Sequence, residues 1–384
     1  MNCTARIISI YAADVSGVCS ALYEYGGMTV IHDASGCNST YTTHDEPRWY
    51  DMESMIYISA LTENDAVMGN DEKFIIDLCD AEEKLSPEFM AICGSPMPAM
   101  TGVDFEAIAY DTENRTGIPV IAVNTNGMHS YIKGAGEAFL RLSERFCEPN
   151  VTDKTTVNIL GATPLDYSLN GSMDSIKRWL SDNGFKVNAC LGMGTSLDEV
   201  RGLSRAGVDL VISSCGMKTA EYLRREYDIP YVVGVPYGEA FSCRLANALR
   251  VAAENGECIK TCTDRNVNGC EIAIIGESIL SASLACEIAM SSGRGARVIE
   301  SVGESDMSVL LSGDISVDDE DMLEKELYGC EIIIADPLFQ PICDKNARFI
   351  RLPHEAFSGR CFSKEIPDLI NTDILTKLGL RGII

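Results

Sequence analysis

Short, continuously apolar segments alternate along this chain with longer stretches of helical pattern, and this alternation constrains the fold more than any other feature. Strands buried on both faces form unbroken apolar runs, as strands of parallel sheets do. Helices of about a dozen residues between such strands indicate parallel β–α–β units. The sequence therefore predicts an α/β fold. The clearest strand segments are residues 89–93, 157–160, 208–212, 271–275 and 331–335.

A repeated unit indicates how the chain is divided. Three times, a strand ends in a polar or Cys-bearing loop, a helix follows, and a new strand begins. Ligands bind such sheets beyond the carboxyl ends of the strands, so we expect the chemistry to lie in the loops that follow the strands. We predict three Rossmann-like domains with parallel sheets around a central cleft, at residues 1–150, 151–258 and 259–384, with a polar linker over 254–269.

The charge balance limits the partners. The chain has 384 residues, with 31 Lys and Arg against 57 Asp and Glu, for a net charge of −26. A nucleic-acid-binding protein would carry a basic stripe, and an anionic membrane surface would repel this chain. Residues 7–12 resemble a signal peptide faintly, but Asp14 follows them at once, and we interpret them as a first buried strand. The sequence predicts a cytoplasmic protein that binds neither nucleic acid nor membrane.

Several motifs of common enzyme classes are missing from the sequence. It contains no Gly-x-x-x-x-Gly-Lys-Ser/Thr loop and no Gly-x-Ser-x-Gly turn, and no convincing Gly-x-Gly-x-x-Gly follows a first strand. We therefore expect no nucleotide to bind to this chain.

The 16 cysteines are the unusual part of the composition. Without an export signal we expect them to stay reduced, and many to be small core residues, while some bind metal. Gly36 and Cys37 lie on a loop after an apolar strand, where a thiolate can hold iron, although Cys37 can equally be a buried thiol. Cys93 ends another strand, and Ser95 follows it as a second possible ligand before Asp104 begins a helix.

Together these segments resemble the nitrogenase component 1-type oxidoreductases, a family that includes nitrogenase chains, their cofactor-assembly scaffolds, and reductases of tetrapyrroles. The resemblance runs from about residue 7 to residue 240. The matching segments are the loop His-Asp-Ala-Ser-Gly-Cys at 32–37, the segment 61–69 with Lys73, the turn at 93–104, the strand at 118–127, and the strand and helix at 203–230.

The resemblance implies two paired chains with an iron–sulfur cluster, most simply a four-iron, four-sulfur cluster, at the subunit interface. It assigns Cys37 and then Cys93 as ligands. The family's first ligand cysteine falls near Ala13, which leaves Cys19, inside a helix starting near Gly17, as a substitute ligand or a core residue. The turn after Cys93 is longer than the family's, so Ser95 is an alternative ligand there.

The resemblance also implies a substrate site in the interdomain cleft. His129 and Lys133, together with Tyr131, open a helix that faces this cleft in the family, and they are predicted to deliver protons or bind an anion. Cys215 lies near the position at which nitrogenase holds its catalytic metallocluster. The family's third-domain histidine has no clear counterpart, because the motif around His354 differs, and we expect no iron–molybdenum cofactor.

A separate group of cysteines, Cys258, Cys262 and Cys270, spans the predicted linker. Three thiols can hold a metal, but the spacing matches no common site, and we interpret them as solvent-side thiols.

The favoured hypothesis is a reductase subunit that takes electrons from a separate ATP-dependent iron protein and passes them through the cluster to a substrate in the cleft. The subunit would pair with itself or with a second component 1-like chain, as a homodimer, heterodimer or heterotetramer. The alternatives are a non-catalytic scaffold that carries a metallocluster, and a binding module that has lost the cluster. A tetrapyrrole and a small reducible molecule are equally compatible with the family.

Overall fold

Three parallel β-sheets follow one another along the chain in the computed structural model, which describes residues 6–7, 13–34, 46–265, 267 and 271–384. The predicted α/β fold with three Rossmann-like sheets is therefore confirmed. The division at residues 150 and 258 stays a prediction, and the last strand of the second sheet lies just beyond the second of these boundaries, at Ile259–Lys260. Gly36, Cys37, Cys270 and most of the strand predicted at 7–12 lie outside the described residues.

The first sheet has four strands in the order β2-β1-β3-β4. Apolar residues bury β1, β3 and β4 completely, as expected for strands covered by helices on both faces. The strands are β1 (Met28–His32), β2 (Met55–Ile58), β3 (Met90–Gly94) and β4 (Val120–Val123). The helices of this region are α1 (Asp14–Ala21), α2 (Glu63–Met68), α3 (Asp71–Leu85), α4 (Pro96–Thr101), α5 (Phe105–Thr116) and α6 (Tyr131–Phe146).

The second sheet has five strands in the order β6-β5-β7-β8-β9. Its strands are β5 (Asp153–Leu160), β6 (Lys186–Leu191), β7 (Ala206–Val211), β8 (Tyr231–Val233) and β9 (Ile259–Lys260). Its helices are α7 (Pro164–Tyr167), α8 (Ser172–Asp182), α9 (Leu197–Arg201), α10 (Met217–Tyr227) and α11 (Ala240–Asn255).

The third sheet repeats this arrangement in the order β12-β11-β10-β13-β14. Its strands are β10 (Ile272–Gly276), β11 (Ala296–Glu300), β12 (Ile315–Ser316), β13 (Ile332–Ala335) and β14 (Arg348–Arg351). Its helices are α12 (Ser278–Ser292), α13 (Glu320–Leu327), α14 (Glu355–Ser358) and α15 (Ile374–Lys377).

Helices α1 and α6 pack with their backbones almost in contact. A β-carbon at Gly17 would lie 2.1 Å from the carbonyl oxygen of Tyr131, and one at Gly134 would lie 1.9 Å from that of Asp14. Any side chain at either position would push the helices apart. This contact holds α1, and with it Cys19, against the start of α6. Because α1 begins at Asp14, it starts nearly one turn earlier than the sequence predicted.

Arg48 joins the first and second domains. Its side chain is 4% exposed and donates to Glu46 at 2.6 Å and Glu24 at 2.7 Å. It also donates to the carbonyl oxygen of Gly192 at 3.0 Å, and its guanidinium lies 4.5 Å from the centre of the Tyr23 ring. A buried cation is tolerated here because two carboxylates and the carbonyl oxygens of Gly192 and Ser20 satisfy its donors.

Candidate functional site

Two predicted iron ligands, Cys19 of α1 and Cys93 of β3, come together in the first domain. Their thiols are hydrogen-bonded to each other and are not joined in a disulfide. Both are buried, Cys93 completely. The hydrogen bond to Cys19, burial, and the nearby charge of Asp14 hold the pKa of the Cys93 thiol well above its usual value. Without a metal, Cys93 is therefore a protonated thiol.

The loops around this thiol pair are held by hydrogen bonds. Thr125, after β4, accepts from the backbone N–H of Gly94 at 2.9 Å and donates to its carbonyl oxygen at 2.6 Å. Asp14 accepts from the backbone N–H groups of Asn126 at 3.0 Å and Gly127 at 2.8 Å. These hydrogen bonds therefore fix the end of β3 and the start of α6 in position relative to the two thiols.

Ser95, the alternative ligand, already has a partner. Its hydroxyl is buried and donates to Asp33 Oδ1 at 2.5 Å. His32 precedes Asp33 at the end of β1, where its Nδ1 lies 2.8 Å from the Ser59 hydroxyl and its ring stacks on Phe74. Burial lowers the pKa of His32 to about 4, so this imidazole is neutral at pH 7.

His129 and Lys133 form a bridge between the first and third domains. Glu304 accepts from His129 Nδ1 at 2.7 Å and lies 3.7 Å from the Lys133 ammonium, which is itself 2.7 Å from His129 Nε2. Glu304 also accepts from the backbone N–H of Ser130 at 2.8 Å. About a third of each of the two basic side chains is exposed, and neither lines the cavity described next.

A cavity lies between the second and third domains, beyond the carboxyl ends of β10, β13 and β14. Its empty space, including the mouth, is about 620 Å³. Aromatic and aliphatic side chains form much of the wall, among them Tyr167, Tyr237, Leu280 and Phe357. The polar wall groups that can carry or exchange a proton are Asp166, Glu277, Asp336 and His354. Small-molecule sites have this combination of apolar walls and a few polar groups.

Asp166 is the centre of a buried hydrogen-bond cluster beside this cavity. It accepts from the Tyr131 hydroxyl at 2.6 Å and from the Ser213 hydroxyl at 2.6 Å. His354 Nε2 lies 3.3 Å from Asp166 Oδ1. The three domains thus meet at one carboxylate, since Tyr131 comes from the first domain and His354 from the third.

Cys215, which the family resemblance puts near a metallocluster position, lies behind this carboxylate. Its thiol is completely buried, 3.3 Å from the Ser213 hydroxyl and 3.8 Å from Asp166 Oδ2, and it does not line the cavity. Burial and the charge of Asp166 hold the pKa of this thiol well above its usual value.

Glu277 follows β10 directly and caps α12. It accepts from the Ser214 hydroxyl and backbone N–H of the second domain and from the backbone N–H of Leu280 at 2.8 Å. Burial and the nearby charge of Asp166 raise the pKa of Glu277 to about 7. At neutral pH this carboxyl group is therefore present in both its acid and its anionic form.

The sequence analysis missed Asp166, Glu277 and Asp336. Glu277 and Asp336 come directly after β10 and β13, and Asp166 lies in the segment after β5. An acidic residue that follows an apolar strand was the signal that would have found them, because the ends of parallel strands meet at one edge of a sheet.

The interpretation of the linker cysteines as solvent-side thiols is wrong for Cys262. This side chain is completely buried in the main hydrophobic core, and its carbonyl oxygen lies 3.3 Å from the Cys286 thiol. Cys258 is exposed. In the described part of the chain, no group of three or more His, Cys, Asp or Glu side chains is placed to hold a metal ion.

The described residues include no helix whose length and apolar character would allow it to cross a lipid bilayer.

Curated proteins similar to this chain include two kinds of relative. It is 30% identical over 188 residues to the nitrogenase iron-molybdenum cofactor biosynthesis protein NifE of Sinorhizobium fredii, covering 47% of this chain and 37% of that protein. It is 39% identical over 88 residues to one chain of the light-independent protochlorophyllide reductase of Leptolyngbya boryana, covering 23% of this chain and 17% of that one. The matched stretches therefore span well under two thirds of either relative.

A solved structure of similar fold is entitled "Nitrogenase Cp1 at pH 6.5". It superimposes with a TM-score of 0.67 over 96% of this chain and 94% of that chain, at 15% sequence identity. A second structure, "Nitrogenase Cp1 at pH 5", matches with a TM-score of 0.66 over 93% of this chain and 85% of that one, also at 15% identity.

The family profile described as "Nitrogenase component 1 type Oxidoreductase" matches residues 17–285, which include the thiol pair, Asp166 and Glu277. Since this match spans more than half of the chain, the protein belongs to the nitrogenase component 1 type oxidoreductase family.

Proposed function

We propose that this protein is the substrate-binding subunit of a nitrogenase-like two-component reductase. A separate ATP-dependent iron protein supplies the electrons, and the substrate binds in the cavity between the second and third domains. The observation that carries the proposal is this cavity, which lies beside the Asp166 carboxylate at which the three domains meet and has His354, Asp166 and Glu277 in its wall. A reductase needs such groups because reduction of an organic molecule requires protons as well as electrons.

The thiol pair provides part of the ligand set that an iron–sulfur cluster needs. Cys19 and Cys93 supply two adjacent thiols, which is the donor type that iron–sulfur clusters require. Two thiols are half of the usual four, so Cys37 and a second chain would supply the remaining ligands. When bound, such a cluster supplies one-electron transfer. We propose a four-iron, four-sulfur cluster at the interface of a homodimer, or of a pair with a second component 1-like chain.

The chain's own residues would handle the protons. His354 Nδ1 accepts from the backbone N–H of Ala356 at 3.3 Å, which leaves Nε2 as the protonated nitrogen of the neutral ring. Nε2 lies 3.3 Å from Asp166 Oδ1, at the wall of the cavity. We therefore assign proton delivery to His354 and Glu277. His129 and Lys133, which the sequence suggested for this role, bridge two domains through Glu304.

An exposed apolar patch supports a protein partner on the first domain. Val67 and Met68 of α2 and Met100 of α4 are each more than three-quarters exposed, and the two helices lie side by side. Large apolar side chains exposed on neighbouring helices are typical of a binding site for another protein. We propose that the iron protein or the paired chain covers this patch in the cytoplasm.

A second candidate function is a non-catalytic scaffold for metallocluster assembly. The similarity to NifE, a cofactor biosynthesis protein, favours it. A scaffold holds its cluster for transfer, so it would bind iron in a labile form and would turn over no substrate.

The experiment that tests the proposal is measurement of iron and acid-labile sulfide per chain on anaerobically purified protein. We expect about two irons per chain, which corresponds to one four-iron cluster shared by two chains. Cys93→Ser and Cys37→Ala should lose this iron. Cys190→Ser, which changes a buried thiol on β6 far from the pair in sequence, is the matched control and should keep it. Absence of iron from the unmodified protein, even with a partner chain co-expressed, would remove the electron-transfer function.

A further inference from the structure

Carboxyl groups outnumber basic groups in the wall of the interdomain cavity. Asp166, Glu277 and Asp336 line it, and the lining residues of the described chain include neither Lys nor Arg. His354 is the one basic side chain among these lining residues. A bound molecule is therefore exposed to a negative electrostatic potential.

The three carboxyl groups receive hydrogen bonds from groups without charge. Asp336 Oδ2 accepts from the backbone N–H of His354 at 2.7 Å and from the Ser358 hydroxyl at 2.8 Å. Hydroxyl and backbone donors bond Asp166 and Glu277 in the same way. These bonds hold the carboxyl groups in place without adding a positive charge, and burial between two domains weakens the screening by water.

His354 adds an unpartnered donor to this wall. Its Nε2 is buried and has no hydrogen-bond partner in the described structure, although Asp166 Oδ1 is 3.3 Å away. A buried polar nitrogen without a partner is costly, and a bound molecule or water that bridges the imidazole and the carboxylate would relieve this cost.

The rest of the wall is suited to an organic body. Tyr167, Tyr237 and Phe357 supply aromatic surface, and Leu280 and Leu284 supply aliphatic surface. Aromatic faces attract cations through their quadrupoles, so both these rings and the carboxylates favour a positively charged molecule.

We propose that the cavity binds a small organic cation with an apolar body, such as an amidinium or protonated amine, and that it excludes polycarboxylate molecules. This inference rests on the proposed function for the role of the cavity and narrows its substrate class. A tetrapyrrole carrying several carboxylates, one of the substrate classes that the family resemblance leaves open, is excluded because its charges would face Asp166, Glu277 and Asp336. An anionic metallocluster is excluded for the same reason.

Three probes of equal shape and different charge test the proposal: benzamidinium, benzamide and benzoate. Binding to the full chain is measured by isothermal titration calorimetry at pH 7.5 and low ionic strength. We expect benzamidinium to bind at least tenfold more tightly than benzamide, and benzoate not to bind. Equal or tighter binding of benzoate, equal binding of benzamide, or no binding of benzamidinium at 10 mM overturns the proposal.

Substitutions of the lining carboxyl groups test whether benzamidinium binds in this cavity. Glu277→Gln and Asp166→Asn should each weaken benzamidinium binding at least threefold, with folding checked by circular dichroism. Glu300→Gln is the matched control, since Glu300 is an equally buried carboxylate of the third domain that is outside the cavity lining and bonded to Val302 and Gly303. Loss of affinity in the control alone, or in none of the variants, overturns the assignment to this cavity.

The binding experiment and the iron measurement that tests the reductase function can fail independently of each other. Benzamidinium binding to a protein that holds no iron keeps the cavity inference and removes electron transfer. Preference for benzoate in a protein that holds a cluster removes the inference and keeps electron transfer.

Discussion

Glu277 of the third domain and Asp166 of the second are electrostatically coupled across the domain boundary. Burial raises the pKa of Glu277, and the charge of Asp166 raises it further, to about 7. Each carboxyl group is fixed by donors from a different domain than its own, Glu277 by Ser214 and Asp166 by Tyr131. The protonation of one side chain is therefore linked to the packing of the domains.

The first prediction concerns stability against pH. Because the pKa of Glu277 is about 7 in the folded chain and about 4.5 in the unfolded chain, the folded state binds the extra proton between these values. The protonated Glu277 therefore contributes to the free energy of unfolding in full below pH 4.5, and this contribution is lost as pH rises through 7. The loss is about 3 kcal/mol. Urea unfolding of the protein and of Glu277→Gln from pH 5 to 8 measures it.

In this experiment the stability of the unmodified protein relative to Glu277→Gln should decrease as pH rises. Asp166→Asn, which removes the neighbouring charge, should make this decrease smaller. Parallel profiles of stability against pH for the protein and Glu277→Gln would contradict the raised pKa of Glu277.

The second prediction concerns thiol reactivity. Cys93 is buried with a raised pKa, so little thiolate is present to react. In chelator-treated protein, iodoacetamide should modify the exposed Cys243, Cys258 and Cys361 within minutes, and should modify Cys93 only after urea is added. Peptide mass spectrometry at each time point measures the labelled fraction. Labelling of Cys93 at the rate of Cys243 under native conditions would show that the thiol pair is accessible.

The third prediction concerns the contact between α1 and α6. Gly134→Ala places a methyl group 1.9 Å from the Asp14 carbonyl oxygen, and the helices must separate. We expect a loss of about 1–3 kcal/mol in the free energy of unfolding. Gly136→Ala is the matched control on the same helix, because its nearest contact is at 3.3 Å and alanine favours the helix. Chemical denaturation should find Gly136→Ala much more stable than Gly134→Ala. Equal losses of stability in the two variants would show that the close backbone contact at Gly134 does not matter.

The fourth prediction concerns Arg48. Arg48→Met leaves Glu24 and Glu46 buried without their cation, and we expect a loss of about 3–5 kcal/mol. Arg115→Ala breaks an exposed ion pair with Glu72 and should cost far less, because water screens that pair. Denaturant midpoints and slopes for both variants make the comparison. A similar small effect for both would show that Arg48 does not join the domains.

Much of the local structure was predictable. All five apolar segments named from the sequence are strands, and the helix predicted to begin at Asp104 is α5, where Asp104 accepts from the backbone N–H of Ala107. These predictions succeeded because an apolar run or a capping side chain acts on neighbouring residues. The burial of Cys262 was not predictable in this way, since the core that surrounds it includes residues from all three sheets.

The class of fold, three successive parallel sheets, is encoded locally, because each strand–helix unit carries its own burial pattern in its residues. The same local reading supplied Cys93 as a residue type suited to iron, and the family resemblance added Cys19. Three relationships required the folded chain: the two thiols meet, Asp166 lies beside His354, and His129 bridges to Glu304 instead of lining the cavity. Proximity between residues so distant in sequence depends on how helices and whole domains pack, and no local pattern records that packing.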